Sequence, residues 1–157
     1  MRQAERPRTP VKDRALRLLT ARSRSSEEIR RRLLRAGYED AEVAAAIEDL
    51  ESVGLVDDER FAREVVAHQV GRKLAGRRAA VGALRRAGIP TEDAERAVDE
   101  GATGDEEARA EELARTRLGR LSSLEPGVAF RRLVGFLRRR GYDAGTAYTV
   151  ARRVIER

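Results

Sequence analysis

Three short strings constrain this chain more than any other feature: Leu33-Leu34-Arg35-Ala36-Gly37-Tyr38, Leu84-Arg85-Arg86-Ala87-Gly88-Ile89 and Leu137-Arg138-Arg139-Arg140-Gly141-Tyr142. Their glycines lie 51 and then 53 residues apart, a period that marks tandem supersecondary units. Before each glycine, apolar residues stand four and eight positions back: Leu33 and Ile29, Leu84 and Ala80, Leu137 and Leu133. That spacing puts each pair on one helix face. Glycine adopts the left-handed conformation that stops a helix, and the Tyr or Ile after it can pack back onto the helix just left.

A second helix is predicted after each glycine, with apolar positions at Val43, Ile47 and Leu50, then Ala94 and Val98, then Ala147, Ala151 and Val154. Asp40, Thr91 and Asp143 are the expected N-caps. A longer helical stretch precedes each middle helix: Lys12 to Ala21, Asp58 to Lys73, and Asp105 to Gly119. Ser25-Ser26-Glu27-Glu28 reads as a capping box. Asp57-Asp58-Glu59 sets acids at the positive end of the next helix. Gly101-Ala102-Thr103-Gly104 reads as a linker, and Ser122 to Gly127 as a loop. No run alternates in the manner of a strand. The expected fold is all-α, three tandem three-helix repeats in an elongated, curved array whose neighbours share apolar surface. The units fall at 12–56, 57–100 and 101–157, after a flexible tail over 1–11.

Composition limits the chemistry. With no Cys there is no disulfide, thiol nucleophile or Cys-ligated metal. His68 is the only histidine, so no second His can complete a metal site, and a lone helical His is ordinarily a boundary residue. Ser23, Ser25 and Ser26 belong to a helix start, with no base specified for them. Gly71, Gly76 and Gly82 make no phosphate loop, because no strand precedes them and no Gly-Lys-Ser/Thr follows. A non-enzyme without cofactor or metal is expected. No run approaches the roughly 18 apolar residues of a membrane span, and Met1 to Pro10 lacks the apolar stretch of a signal peptide. A cytoplasmic monomer is the corresponding expectation.

The net charge of +6 comes from 33 basic and 27 acidic residues, so the distribution matters more than the sum. The middle helices and their approaches are basic: Arg30, Arg31, Arg32 and Arg35; then Arg72, Lys73, Arg77, Arg78, Arg85 and Arg86; then Arg131, Arg132, Arg138, Arg139 and Arg140. The third helices of the first two units are acidic, with Glu39, Asp40, Glu42, Glu48, Asp49 and Glu51, then Glu92, Asp93, Glu95, Asp99 and Glu100. A single arginine is ordinarily part of a solvated face. Sorting across three units instead predicts a basic strip facing an acidic ligand, either DNA or an Asp/Glu-rich protein. The strip lacks interleaved aromatics, so base stacking has little support.

Two function classes meet these residues. Ser25 through Val56 looks like the core of a winged helix, hence a helical DNA-binding transcription regulator. That fold needs a β-hairpin where Asp57-Asp58-Glu59-Arg60-Phe61-Ala62 heads into a helix. The same residues resemble the RecX family more closely. The resemblance runs from Arg22-x-Arg24-Ser25-x-x-Glu28-Ile29 through Leu33, Gly37 and Tyr38 to Gly54-Leu55-x-Asp57-Asp58-x-x-Phe61-Ala62. It continues through Gly76, Leu84, Gly88 and Ile89 to Phe136-Leu137-Arg138-Arg139-Arg140-Gly141-Tyr142. Ala83 departs from it, where members often carry Glu. The resemblance implies tandem three-helix repeats that bind RecA filaments on single-stranded DNA in their helical groove. It also implies restraint of RecA's strand-exchange, ATPase and coprotease activities, without enzyme activity. The expected contact set is Arg30, Arg31, Arg35, Arg72, Lys73, Arg77, Arg78, Arg85, Arg86, Arg131, Arg132, Arg138 and Arg139. Arg77, Arg78, Arg85 and Arg86 stand at its centre, and single-stranded or duplex DNA is a further expected partner. Phe61 is expected as a core anchor between the first two units, with Asp57 and Asp58 as caps.

Overall fold

The computed structural model describes residues 9–156. In chain order the helices are α1 (Val11–Ala21), α2 (Ser26–Arg35), α3 (Asp40–Ser52), α4 (Asp58–Val66), α5 (Arg77–Arg86), α6 (Thr91–Gly101), α7 (Glu106–Leu118), α8 (Pro126–Arg139) and α9 (Ala144–Ile155). The architecture is all-α, with no strand among the described residues. No helix among them is long and apolar enough to cross a membrane. Of the tail expected over 1–11, residues 1–8 lie outside the described residues, and Val11 already opens α1.

Helix starts follow local chemistry, with three corrections. Ser25 caps α2: its Oγ accepts from Glu28 N–H while the Glu28 carboxylate accepts from Ser25 N–H. Asp143 caps α9 by accepting from Thr146 N–H at 3.0 Å. Asp40, however, is the first residue of α3 and Glu39 holds the cap position; the Asp40 carboxylate accepts from Arg30 instead. Thr91 is likewise already helical, because the chain is held extended ahead of Pro90 and turns into the helix directly after it. The expected loop from Ser122 to Gly127 ends early: Pro126 opens α8, where its missing N–H costs nothing.

The stretch expected as one helix from Asp58 to Lys73 changes character. After Val66 it continues as a π-helical segment, Ala67–Arg72, and Leu74 sits at φ +49°, a conformation that costs a non-glycine residue about 1–2 kcal/mol. Tertiary hydrogen bonds hold this irregular end in place. Tyr142 Oη donates to the Leu74 carbonyl at 2.7 Å, and the Arg140 guanidinium donates to the Lys73 carbonyl.

Packing divides the chain into two compact units. One runs to Ala62 and takes in Leu84–Pro90; the other joins Arg63–Ala83 to the residues from Thr91 onward. The first is centred on Ala15, Ile29, Leu33, Val43 and Leu50, all fully buried. The second has Ala110, Ala114, Leu133, Leu137, Ala147, Val150 and Ala151 at its centre, likewise fully buried. The apolar positions expected on the middle and third helices are all buried, including Ala80, Leu84, Ala94 and Val98.

The repeated glycines do more than stop helices. Gly37, Gly88 and Gly141 all have φ near +90°, as the left-handed helix end requires. A Cβ at Gly37 would meet nothing. At Gly141 it would lie 2.5 Å from Ala79 N, because this helix end abuts the start of α5. There, Gly76 N–H donates to the Arg140 carbonyl at 2.8 Å and Arg78 N–H to the Gly141 carbonyl at 3.2 Å. The first unit contains a matching joint. Ser25 Oγ donates to the Ala87 carbonyl, Arg31 donates to the Arg86 carbonyl at 3.0 Å, and a Cβ at Gly88 would strike the Glu27 side chain. In both joints the carbonyl-rich end of one middle helix meets the start of another, a favourable approach of opposite partial charges.

Two outcomes are expected in thermal or chemical denaturation. Gly37→Ala should cost about 1–2 kcal/mol, the strain of the left-handed region alone, and Gly141→Ala distinctly more, because the added Cβ would also collide with the Ala79 backbone. Phe61, 5% exposed, should cost about 3–5 kcal/mol when truncated to Ala; equal stability of variant and parent would exclude a core role.

Candidate functional site

All thirteen basic residues expected to form the contact set are exposed, but the structure sorts them into neutralised and unpartnered groups. In the first unit Arg30 pairs with Asp40 at 2.6 Å, and Arg31 pairs with Glu27 at 2.9 Å. Arg35 Nε donates to the Arg31 carbonyl. Arg85 and Arg86 have no carboxylate partner among the described residues. In the second unit Arg77 grips Asp99 with two hydrogen bonds of 2.9 and 3.1 Å, and its N–H donates to Glu106. The hydrogen bond to Asp99 raises the Arg77 pKa and lowers that of Asp99, so its counter-charge is already on the protein. Arg72, Lys73, Arg78, Arg131, Arg132, Arg138 and Arg139 form no ion pair among the described residues.

Each unit carries a shallow concave feature walled by such arginines. In the first, Arg14 and Leu18 of α1 face Arg32 and Arg35 of α2 and Ala36 across a cleft of about 370 Å³. Arg24, only 8% exposed, lies against it: its Nε donates to the Leu18 carbonyl at 3.1 Å, and its Nη1 is buried without a hydrogen-bond partner. Burial, together with the like charges of Arg22 and Arg32, lowers the Arg24 pKa. In the second unit, Arg117 of α7 and Arg131, Arg132, Gly135 and Arg139 of α8 line a cleft of about 400 Å³. Arg117 and Arg14 escaped the sequence reading because they stand on the first helices, where nothing local sets them apart from other surface arginines.

The Arg22-x-Arg24-Ser25-x-x-Glu28 string proves to be a structural lock. Arg22 pairs with Glu28 at 2.6 Å, Ser25 caps α2, and Ser26 donates through both its N–H and its hydroxyl to Asp58. Asp57 caps α4 by accepting from Arg60 N–H at 2.9 Å. Burial alone would raise the Glu28 pKa, but hydrogen bonds from Arg22 and Ser25 N–H outweigh it and hold the carboxyl below its ordinary range. His68 is exposed on the π-helical segment. No cluster of His, Asp or Glu among the described residues could hold a metal ion. A winged helix would require strands after Val56; that stretch is α4.

Helical units closed by glycine joints define a helical-repeat protein. Two parts of the chain match family models: residues 12–50 match the first three-helix domain of RecX, and residues 105–151 match its third. The regulatory protein RecX of Amycolatopsis mediterranei is 40% identical over 133 residues, spanning 85% of this chain and 76% of that protein. That of Mycolicibacterium vanbaalenii is 40% identical over 141 residues, spanning 86% and 77%. The crystal structure of RecX from Lactobacillus salivarius superposes with a TM-score of 0.77 at 18% identity, covering 92% of this chain and 94% of that one, a likeness of fold. The chain belongs to the RecX family of regulatory proteins.

Because the folded state lowers the Glu28 pKa, the ionised carboxylate favours folding. That stabilisation is complete above the unfolded value of about 4.3 and is lost as pH falls through the lower folded value. Glu28→Gln should therefore lower Tm at neutral pH, and the gap from the parent should close on acidification. A gap independent of pH would show that Glu28 acts without its charge.

Proposed function

We propose that this protein is a non-enzymatic inhibitor of the RecA recombinase that lies in the groove of the RecA–single-stranded DNA filament and engages it through exposed basic residues. It acts as a cytoplasmic monomer, with three helical units at 12–56, 57–100 and 101–157 supplying the contacts. The observation that carries the proposal is the set of exposed cations left without carboxylates in a chain that has 27 acidic residues to offer. Ion pairs occupy Arg30, Arg31 and Arg77. The contact role therefore falls first on Arg35, Arg72, Lys73, Arg78, Arg85, Arg86, Arg131, Arg132, Arg138 and Arg139. Several weak sites on one chain, each meeting a different filament subunit, combine through effective concentration. This explains how a modest net charge can serve a polyanionic target.

The test is inhibition of RecA ATP hydrolysis on single-stranded DNA. Arg72→Glu combined with Arg78→Glu should raise the half-inhibitory concentration at least tenfold while leaving Tm within a few degrees of the parent. Arg77→Gln should act mainly on stability, since it breaks the Asp99 pair. Full inhibition by the folded double variant would remove the second unit's cations from the interface.

A further inference from the structure

We propose that the α7–α8 cleft is a phosphate-binding site that takes the backbone of single-stranded nucleic acid directly. The inference rests on the reading of the protein as a basic-face filament regulator, and narrows it to one place and one chemistry.

Four guanidinium groups, from Arg117, Arg131, Arg132 and Arg139, converge on a volume of about 400 Å³ with no carboxylate among the lining residues. Several arginines elsewhere in the same unit find acids: Arg77 with Asp99, Arg96 with Asp93, Arg115 with Glu111, and Arg153 with Glu107 and Glu111. Arg72, Arg78 and Arg138 stand without one among the described residues, but they do not line the cleft. The acid adjoining the cleft, Glu125, spends its oxygens on the N–H groups of Gly127 and Val128; it feels the charge of Arg131 but forms no ion pair with it. Like charges gathered without counter-charge repel one another in the free protein. Their assembly is favourable once an anion enters, and arginine's planar fork matches phosphate oxygens.

Two further observations mark a shaped site. Gly135 lies in mid-helix, where glycine weakens a helix, and it lines the cleft; a Cβ there would approach Arg139 Nη1 to 3.3 Å. The missing side chain keeps the space between the arginines open. Arg117 is held with its guanidinium carbon 5.1 Å from the centre of the Phe136 ring, so one of the four groups is positioned before any ligand arrives. The first unit repeats the arrangement between its own first and second helices, with Arg14, Arg32 and Arg35.

The lining favours nucleic acid over an acidic protein. Protein interfaces depend on a desolvated apolar or aromatic centre with few charges, whereas the α7–α8 lining contains only arginines and one glycine. Nucleic-acid interfaces are polar and strongly positive. No base-stacking aromatic lines the cleft, so contact with the sugar–phosphate chain, independent of sequence, is the expected mode.

The test uses the full chain and a fluorescent oligo-dT strand, with Kd measured over a range of salt concentrations. Arg131→Gln, Arg132→Gln and Arg139→Gln combined should weaken binding at least tenfold at low salt. The log–log salt slope should fall by about 2, given about 0.7 per phosphate contact on single strands. The charge-matched control Arg96→Gln, Arg115→Gln and Arg152→Gln should stay within about twofold of the parent. Gly135→Leu should weaken binding with net charge unchanged, and Arg117→Gln should do so with Tm preserved. Equal losses in the cleft and control triples would mean that binding follows net charge alone and would overturn the site. Unaltered oligo-dT binding by the cleft triple, with loss of RecA filament binding, would overturn it in favour of an acidic protein ligand. Loss of oligo-dT binding with RecA inhibition retained would support the site and show that inhibition runs through the other basic residues; loss of RecA inhibition in the parent protein itself would sink the filament reading separately.

Discussion

The left-handed glycine end of each middle helix is the constraint on which the other features depend. At Gly141 it lets one helix finish with its carbonyls aimed at the backbone N–H groups of Gly76 and Arg78. At Gly88 it lets the end of α5 sit against Ser25 and the Glu27 stem. Backbone meets backbone at the first joint, so no side chain can be accommodated. The hydrogen bonds also satisfy groups that a helix end would otherwise leave open. The irregular end of the π-helical segment follows from the same joint, since Arg140 and Tyr142, flanking Gly141, hold the Lys73 and Leu74 carbonyls.

With the helices fixed by their ends, the side chains between them are free to carry charge. Cores built mainly from Ala, Val, Leu and Ile take one to four buried positions per helix, which leaves the remaining faces to arginine and glutamate. Two kinds of arginine result. Those near an acidic helix, such as Arg77 beside Asp99, are absorbed into the protein's own electrostatics. Those lining the α1–α2 and α7–α8 clefts form no ion pair among the described residues, and no carboxylate is among the residues that line these clefts. Membership of the RecX family gives these faces a biological setting, and the arrangement of charge gives them a chemistry.

Much of the fold was legible in the chain because its determinants are local. Apolar residues at helical spacing, glycine at the stop, the Ser25–Glu28 capping box and Asp143 as a cap each act within about a turn of backbone, and all are found in place. Two errors were local, at the prolines beside the starts of α6 and α8; the others fell where a distant neighbour interfered. Asp40 left its expected cap for Arg30, and the helix after Val66 widened to a π-helix whose end is held by residues 67 and 68 positions away.

The sequence by itself determined how many helices form, where they stop and which faces are apolar, because those outcomes depend on residues a few positions apart. Beyond pairs one helix turn apart, such as Arg31 with Glu27, tertiary structure decided which arginines keep an uncompensated charge. Arg77 is neutralised by an acid 22 residues distant, whereas Arg117 and Arg131 approach one another only because α7 packs against α8. Coulomb interaction depends on separation in space, and in a folded helical protein that separation cannot be read from position along the chain.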